Sequence, residues 1–176
     1  MLKKYYHTQE HRKIELTLPK VCVRDDAWLG EASYFWAEEF DAMNWGQASK
    51  KKTGKFEIYI SDINTENILD TVFNEDHYYF WIKQLEKVSK KILITTKQKP
   101  TLKELNDYLL DKKVWSSVDG IQFQDLPITQ EHMLVKPITY SNQKIRQIAF
   151  RKRIQLAVYN PKIITTFARN SVENVF

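Results

Sequence analysis

The middle of the chain restricts what the rest can be. From Asp76 to Ile92 the apolar residues Trp81, Leu85, Val88 and Ile92 recur at spacings of four, three and four, which sets them on one stripe of a helix. The following segment, "TLKELNDYLLDKK", opens with Thr101 and Glu104 at capping-box spacing, and Leu102, Leu105, Leu109 and Leu110 form its apolar side. Two such helices must bury their stripes against something, and the flanking sequence offers strands. Upstream, "KKYYHT", "KIELTLPKVCV" and "KFEIYISDI" alternate at period two, the last with Phe56, Ile58 and Ile60 on one face and Glu57, Tyr59 and Ser61 on the other. Downstream, "GIQFQDL", "HMLVKPITY", "KIRQIAF" and "RIQLAVYN" are short, rich in β-branched or aromatic residues, and separated by polar turns. Strands, then helices, then strands predict an α+β domain. At 176 residues, with no repeat or Pro/Gly/Ser linker, the chain is expected to form one domain over residues 1–176.

Glycine is scarce, with four in the chain, so each marks a place where the backbone needs it. Gly30 stands directly before a dense aromatic run, "YFWAEEFDAMNW", from Tyr34 to Trp45. Such a run is either one corner of a core or a wall built to stack on a flat ring. The net charge of +5 favours anionic partners. The densest basic runs, Lys50–Lys52 and Arg151–Arg153, read as solvated turns, with phosphate or nucleic-acid contact as the alternative. Cys22 is the one cysteine, so no internal disulfide forms, and its place in "KVCVR" predicts a buried strand residue.

Several chemistries lose their support. With one Cys and four His (His7, His11, His77 and His132) there is no CxxC, HExxH or calcium-loop pattern, and no metal is expected. No GxxxxGK[ST] loop, GxGxxG turn or GxSxG elbow occurs either. No apolar run of membrane-spanning length and no apolar targeting stretch at the start is present, which predicts a cytoplasmic protein with no membrane partner.

Three separated stretches form a pattern of their own: "YHTQ" at Tyr6–Gln9, "LGEASYF" at Leu29–Phe35, and "QLAVYN" at Gln155–Asn160. In these residues and in their order the chain resembles the ADP-ribosyltransferase superfamily, in its His-Tyr-Glu branch of diphtheria-type toxins and poly(ADP-ribose) polymerases. The resemblance implies a split antiparallel β-sheet core with flanking helices, and NAD as substrate. It further implies that Tyr34 and Trp45, eleven residues apart, sandwich the nicotinamide with Ala42 beneath and Phe35 alongside. By the same resemblance His7 anchors the adenosine ribose and Thr8 presents its backbone to the nicotinamide amide. A cationic pyridinium gains dispersion and cation–π attraction from such rings.

Two positions depart from the family pattern. Thr8 replaces a glycine, and Gln155 stands where the family carries its catalytic glutamate, so the implied catalytic set is His7, Tyr34 and Gln155. A glutamine keeps a hydrogen bond to a ribose hydroxyl but not the charge that stabilises an oxocarbenium-like sugar. That charge, at ~5 Å and an effective dielectric of ~20, is worth roughly 3 kcal/mol, or about two powers of ten in rate. On this basis Gln155→Glu should be faster than the wild type. The resemblance thus implies mono-ADP-ribosyl transfer to a protein or nucleic-acid acceptor, with a toxin or phage-conflict role and an antitoxin or immunity protein as partner. A catalytically degenerate NAD- or partner-binding module of the same fold is the alternative.

Overall fold

The computed structural model describes residues 1–50, 52–125, 139–140, 143–144 and 153–176. Its elements run β1 (Leu2–Glu10), β2 (Ser33–Trp36), α1 (Glu39–Ser49), β3 (Lys55–Asn64), β4 (Ile68–Asp70), α2 (Glu75–Thr96), α3 (Leu102–Asp111), β5 (Gly120–Asp125), β6 (Thr139–Tyr140), β7 (Gln143–Lys144), β8 (Arg153–Val158) and β9 (Ala168–Asn174). β6 and β7 pair as a separate ribbon, and the other strands form one seven-stranded sheet in the order β4-β5-β8-β2-β1-β3-β9. Every pairing in that sheet is antiparallel except β4 with β5. This is an α+β fold, a mixed sheet with three helices.

The helices form where the sequence predicts them. Leu85 and Val88 of α2 and Leu105 and Leu109 of α3 bury into one cluster with Ile121 and Phe123 of β5 and Ala157 of β8, and Trp81, Ile92, Leu102 and Leu110 pack at its margin. The capping box is present: Thr101 Oγ1 accepts from the Glu104 backbone N–H, and the Glu104 carboxylate accepts from the Thr101 N–H. α1 lies over the neighbouring stretch of sheet, where Ala42 joins Trp36, Phe56 and Ile58. The opposite face holds Tyr5, Phe35, Ile63, Leu156 and Val158, covered by the crossing segment that carries Ile163, Ile164 and Phe167.

β3 is buried on both sides. Phe56 and Ile58 lie under α1, while Glu57, Tyr59 and Ser61 are sealed on the reverse face. Glu57 is tolerated there because its partners outweigh desolvation. Tyr59 donates its hydroxyl at 2.5 Å, His11 Nδ1 lies 2.9 Å away and Arg169 Nη1 3.4 Å away. Burial alone would raise its carboxyl, but these hydrogen bonds hold it below the usual range. Burial, with Glu57 second, pushes the Tyr59 phenol up to about 12.

One expected strand does not form. "KIELTLPKVCV" stays irregular, with Ile14 and Leu18 exposed and a single bridge from Cys22 to Ala32. The outer edge of β3 is taken by β9, and the segment meets the sheet through the Cys22–Ala32 bridge just before β2 and the Leu16 N–H on the Tyr59 hydroxyl. Cys22 is accordingly half-buried rather than in the core. "GIQFQDL" and "RIQLAVYN" become β5 and β8. Apart from β6, β7 and the short runs they contain, "HMLVKPITY" and "KIRQIAF" lie outside the described residues.

The seam between β1 and β2 is the feature that positions the site. β1 pairs with β3 through nine successive residues, yet with β2 through Tyr6 and Trp36 alone. Beyond that pair the two strands part, leaving a set of β4, β5, β8 and β2 on one side and β1, β3 and β9 on the other.

Candidate functional site

The three motif segments become three neighbouring strands. β8 lies beside β2 with Gln155 opposite Trp36 and Ala157 opposite Tyr34, and β2 lies beside β1 through Trp36 and Tyr6. Side chains alternate along each strand, so Tyr34, Trp36 and Gln155 share the face covered by the helices. Thr8 looks the same way, its hydroxyl donating to the Ala42 carbonyl of α1 at 2.8 Å. α1 delivers the rest of this face at helical spacing: Asp41, Ala42, Trp45 and Gly46 all turn toward the sheet, with Asp41 and Ala42 wholly buried.

His7 and Phe35 face the other way. The His7 ring lies 5.3 Å from Phe35 and 5.9 Å from Phe167, on the reverse face of the sheet. The structure therefore brings Thr8, Tyr34, Ala42, Trp45 and Gln155 to one face and leaves His7 and Phe35 on the other. Parity explains it, because a residue adjacent in a strand to one on the helix face has to point away. What His7 does instead is close the seam. Its Nδ1–H donates to the Tyr34 carbonyl at 2.8 Å, a side-chain clip at the point where the β1–β2 ladder has lapsed. This fixes the tautomer and leaves Nε2 as a buried acceptor with no partner among the described residues. Burial, reinforced by Lys50 and only partly offset by the Tyr34 carbonyl, lowers the His7 pKa to about 4, so the ring is neutral at pH 7.

Tyr34 and Trp45 pack into different clusters, Tyr34 with the one under α2 and α3 and Trp45 with the one under α1. The Tyr34 ring meets Phe123 edge-on with centroids 6.5 Å apart, while Trp45 tilts against Trp36 at 6.0 Å. The Tyr34 hydroxyl accepts from the Leu29 N–H and donates to the Gly30 carbonyl, both at 2.9 Å. This staple accounts for Gly30, which turns the chain at φ +78° and where a Cβ would collide with Asp107 Oδ1. Burial, the largest cause, raises the Tyr34 phenol well above its ordinary range.

Beside Gln155 sits a polar cluster that the sequence did not disclose. Arg153 opposes Asp125 across β8 and β5, its Nη2 lies 3.0 Å from Asp125 Oδ2, and its Nε is 3.9 Å from Asp41 Oδ1 of α1. Gln155 Nε2 donates to the same Asp125 oxygen at 3.2 Å. The Arg153 guanidinium also lies over Trp36, 5.1 Å from the ring centroid. Arg153, Asp125 and Asp41 are all buried. Thus Arg153, read from the sequence as a member of a solvated basic turn, is a core ion-pair residue; Arg151 and Lys152 lie outside the described residues. The signal available was its i−2 relation to Gln155, which in a strand puts both on one face.

Among the described residues no group of three or more His, Cys, Asp or Glu side chains is arranged to hold a metal ion, and no helix is long and apolar enough to cross a membrane. What this face offers is the half-buried rings of Tyr34 and Trp45, an amide at Gln155, and a seam that β1 and β2 span through one residue pair and the His7 side chain. Comparison of the chain with family models, with curated proteins and with solved structures finds no match.

Proposed function

We propose that the chain is a NAD-dependent mono-ADP-ribosyltransferase whose dinucleotide enters the seam between β1 and β2. The observation that carries the reading is the lapse of pairing there to a single residue pair, with the "YHTQ" and "LGEASYF" segments on its two sides and Gln155 opposite Trp36 in the next strand. A sheet that divides at this point accords with the split core of the superfamily the motifs resemble. In this reading Thr8, Ala42 and Trp45 line the β1–α1 side of the opening, and Tyr34 and Gln155 the β2–β8 side. His7 fixes the width of the seam from the reverse face, through the Tyr34 carbonyl.

The chemistry asked of the protein is modest. Cleavage of the glycosidic bond releases neutral nicotinamide and leaves positive charge on the ribose, and Gln155 contributes an amide carbonyl to a ribose hydroxyl near that charge. Without a carboxylate at 155, activation of an acceptor hydroxyl for chain growth is unsupported, so one ADP-ribose unit is transferred. The acceptor is a protein or nucleic acid, and a toxin or phage-conflict role with an antitoxin partner belongs to the same proposal.

One observation favours a second reading, a binding module without turnover: the Gln155 amide is engaged by Asp125 and the Tyr34 hydroxyl by its own loop. Nicotinamide release from NAD, with and without cell-extract acceptors, separates the two. The transferase reading expects release by the wild type and at least a ~10-fold loss in Gln155→Ala, the factor that about 1.4 kcal/mol of lost transition-state stabilisation produces. Saturable NAD binding with no release supports the module, and neither binding nor release removes both.

A further inference from the structure

We infer that Asp125 is the positioning residue for Gln155, fixing which end of its amide faces the substrate; this rests on the transferase reading above. An ionised carboxylate can only accept hydrogen bonds, whereas an amide has a donating and an accepting end. Asp125 Oδ2 lies 3.2 Å from Gln155 Nε2 and is ion-paired with Arg153 at 3.0 Å, so the nitrogen end of the amide is held toward β5. The oxygen end is thereby turned away from Asp125, and among the described residues no donor is bonded to it. Gln155 is half-buried, between Trp36 of β2 and Phe123 of β5 in register, so its freedom to flip is limited by its neighbours as well. A side chain that must offer an acceptor to a ribose hydroxyl is oriented for that task before the ligand arrives.

The pairing reverses the expectation that a glutamate at 155 would repair the site. Gln155→Glu would place two carboxylates within about 3 Å, where both cannot be ionised cheaply. One of them takes up a proton or the introduced side chain swings off the face, away from the Asp125 carboxylate that pairs with Arg153. Gln155 and Asp125 are matched, and a change at one calls for a change at the other.

The test is a double-mutant cycle on the full chain, reading nicotinamide release from NAD for wild type, Gln155→Glu, Asp125→Asn and the double variant. At pH 7 we expect Gln155→Glu to be no faster than the wild type, and the double variant to exceed Gln155→Glu by about 100-fold in kcat, with KM for NAD changing by less than about threefold. Melting temperatures at pH 5 and pH 7 supply a readout independent of turnover. The deficit of Gln155→Glu relative to wild type should shrink toward pH 5, where the introduced carboxyl, once protonated, donates to Asp125 as the amide does, and the double variant should show no such pH dependence. Gln155→Glu alone reports this, so the test survives if Asp125→Asn does not fold. A single Gln155→Glu faster than wild type, or a deficit equal at both pH values, overturns the inference. Absence of NAD binding and cleavage in all four proteins overturns the transferase reading together with the positioning role of Asp125 in catalysis, while the melting profiles still decide whether the two side chains are paired.

Discussion

At the scale of single residues, His7 carries a cost that shows as a pH dependence. Its folded pKa of about 4 lies below the ordinary 6.5, mainly through burial, so between those values the unfolded chain binds a proton that the folded chain does not. Stability therefore falls as pH drops from about 6.5 to about 4, by roughly 3 kcal/mol in all, and this contribution stays constant below the window. Urea unfolding at pH 7, 5.5 and 4 should show that loss in the wild type and a shallower one in His7→Asn; equal slopes would contradict the assignment. Gly46 gives a second residue-scale prediction. A Cβ there would run into the Phe56 ring, under the helix that carries Ala42 and Trp45. Gly46→Ala should cost about 1–3 kcal/mol through overpacking, more than the gain in helix propensity returns, and should lower the melting temperature. Gly30 was marked by the sequence as a forced turn, and its positive φ shows why. The stapling of Tyr34 by the Leu29 and Gly30 backbone was not legible, since it depends on where the hydroxyl lands in three dimensions.

Among the elements, α3 does the most to tie distant parts of the chain together. Asn106, wholly buried, donates to the Leu29 carbonyl at 2.6 Å and to the Tyr159 hydroxyl at 2.9 Å, and accepts from Trp115 Nε1 at 3.0 Å. The loop before β2 and the end of β8 are thus fixed to one helical side chain. Asn106→Leu would leave the Trp115 indole N–H without its acceptor in a sealed interior and the Leu29 carbonyl with the Tyr159 hydroxyl as its remaining side-chain donor. A loss of about 2–4 kcal/mol is expected in chemical denaturation, against under about 1 kcal/mol for a surface substitution such as Lys87→Ala. α2 and α3 were readable because a period of four and three, plus a capping box, is a local signal. β4 and β9 were not. β4 is three residues long, and the exposed edge strand β9 is polar, held by main-chain pairing to β3 rather than by an apolar pattern. "KIELTLPKVCV" failed in the opposite sense: its alternation is real, but the segment joins the sheet by the single Cys22–Ala32 bridge.

For the whole molecule, sequence order and sheet order differ in the way that builds the site. Segments at the start, early middle and end of the chain lie side by side as β1, β2 and β8, and the aromatic run that follows Gly30 spans β2 and α1 over one face. That three motif stretches should meet was an expectation from the family resemblance. Which face each side chain takes was not legible, because it follows from the register of Tyr6 against Trp36, and that register sends His7 to the reverse side. Nor was the Asp41–Arg153–Asp125–Gln155 cluster, whose members come from three elements. The central claim is that NAD occupies the β1–β2 seam. Amide hydrogen exchange with and without saturating NAD tests it most directly. Protection concentrated in residues 6–9, 33–36 and 153–157 is the predicted result; unchanged exchange across those strands, or protection confined to α2 and α3, would contradict it.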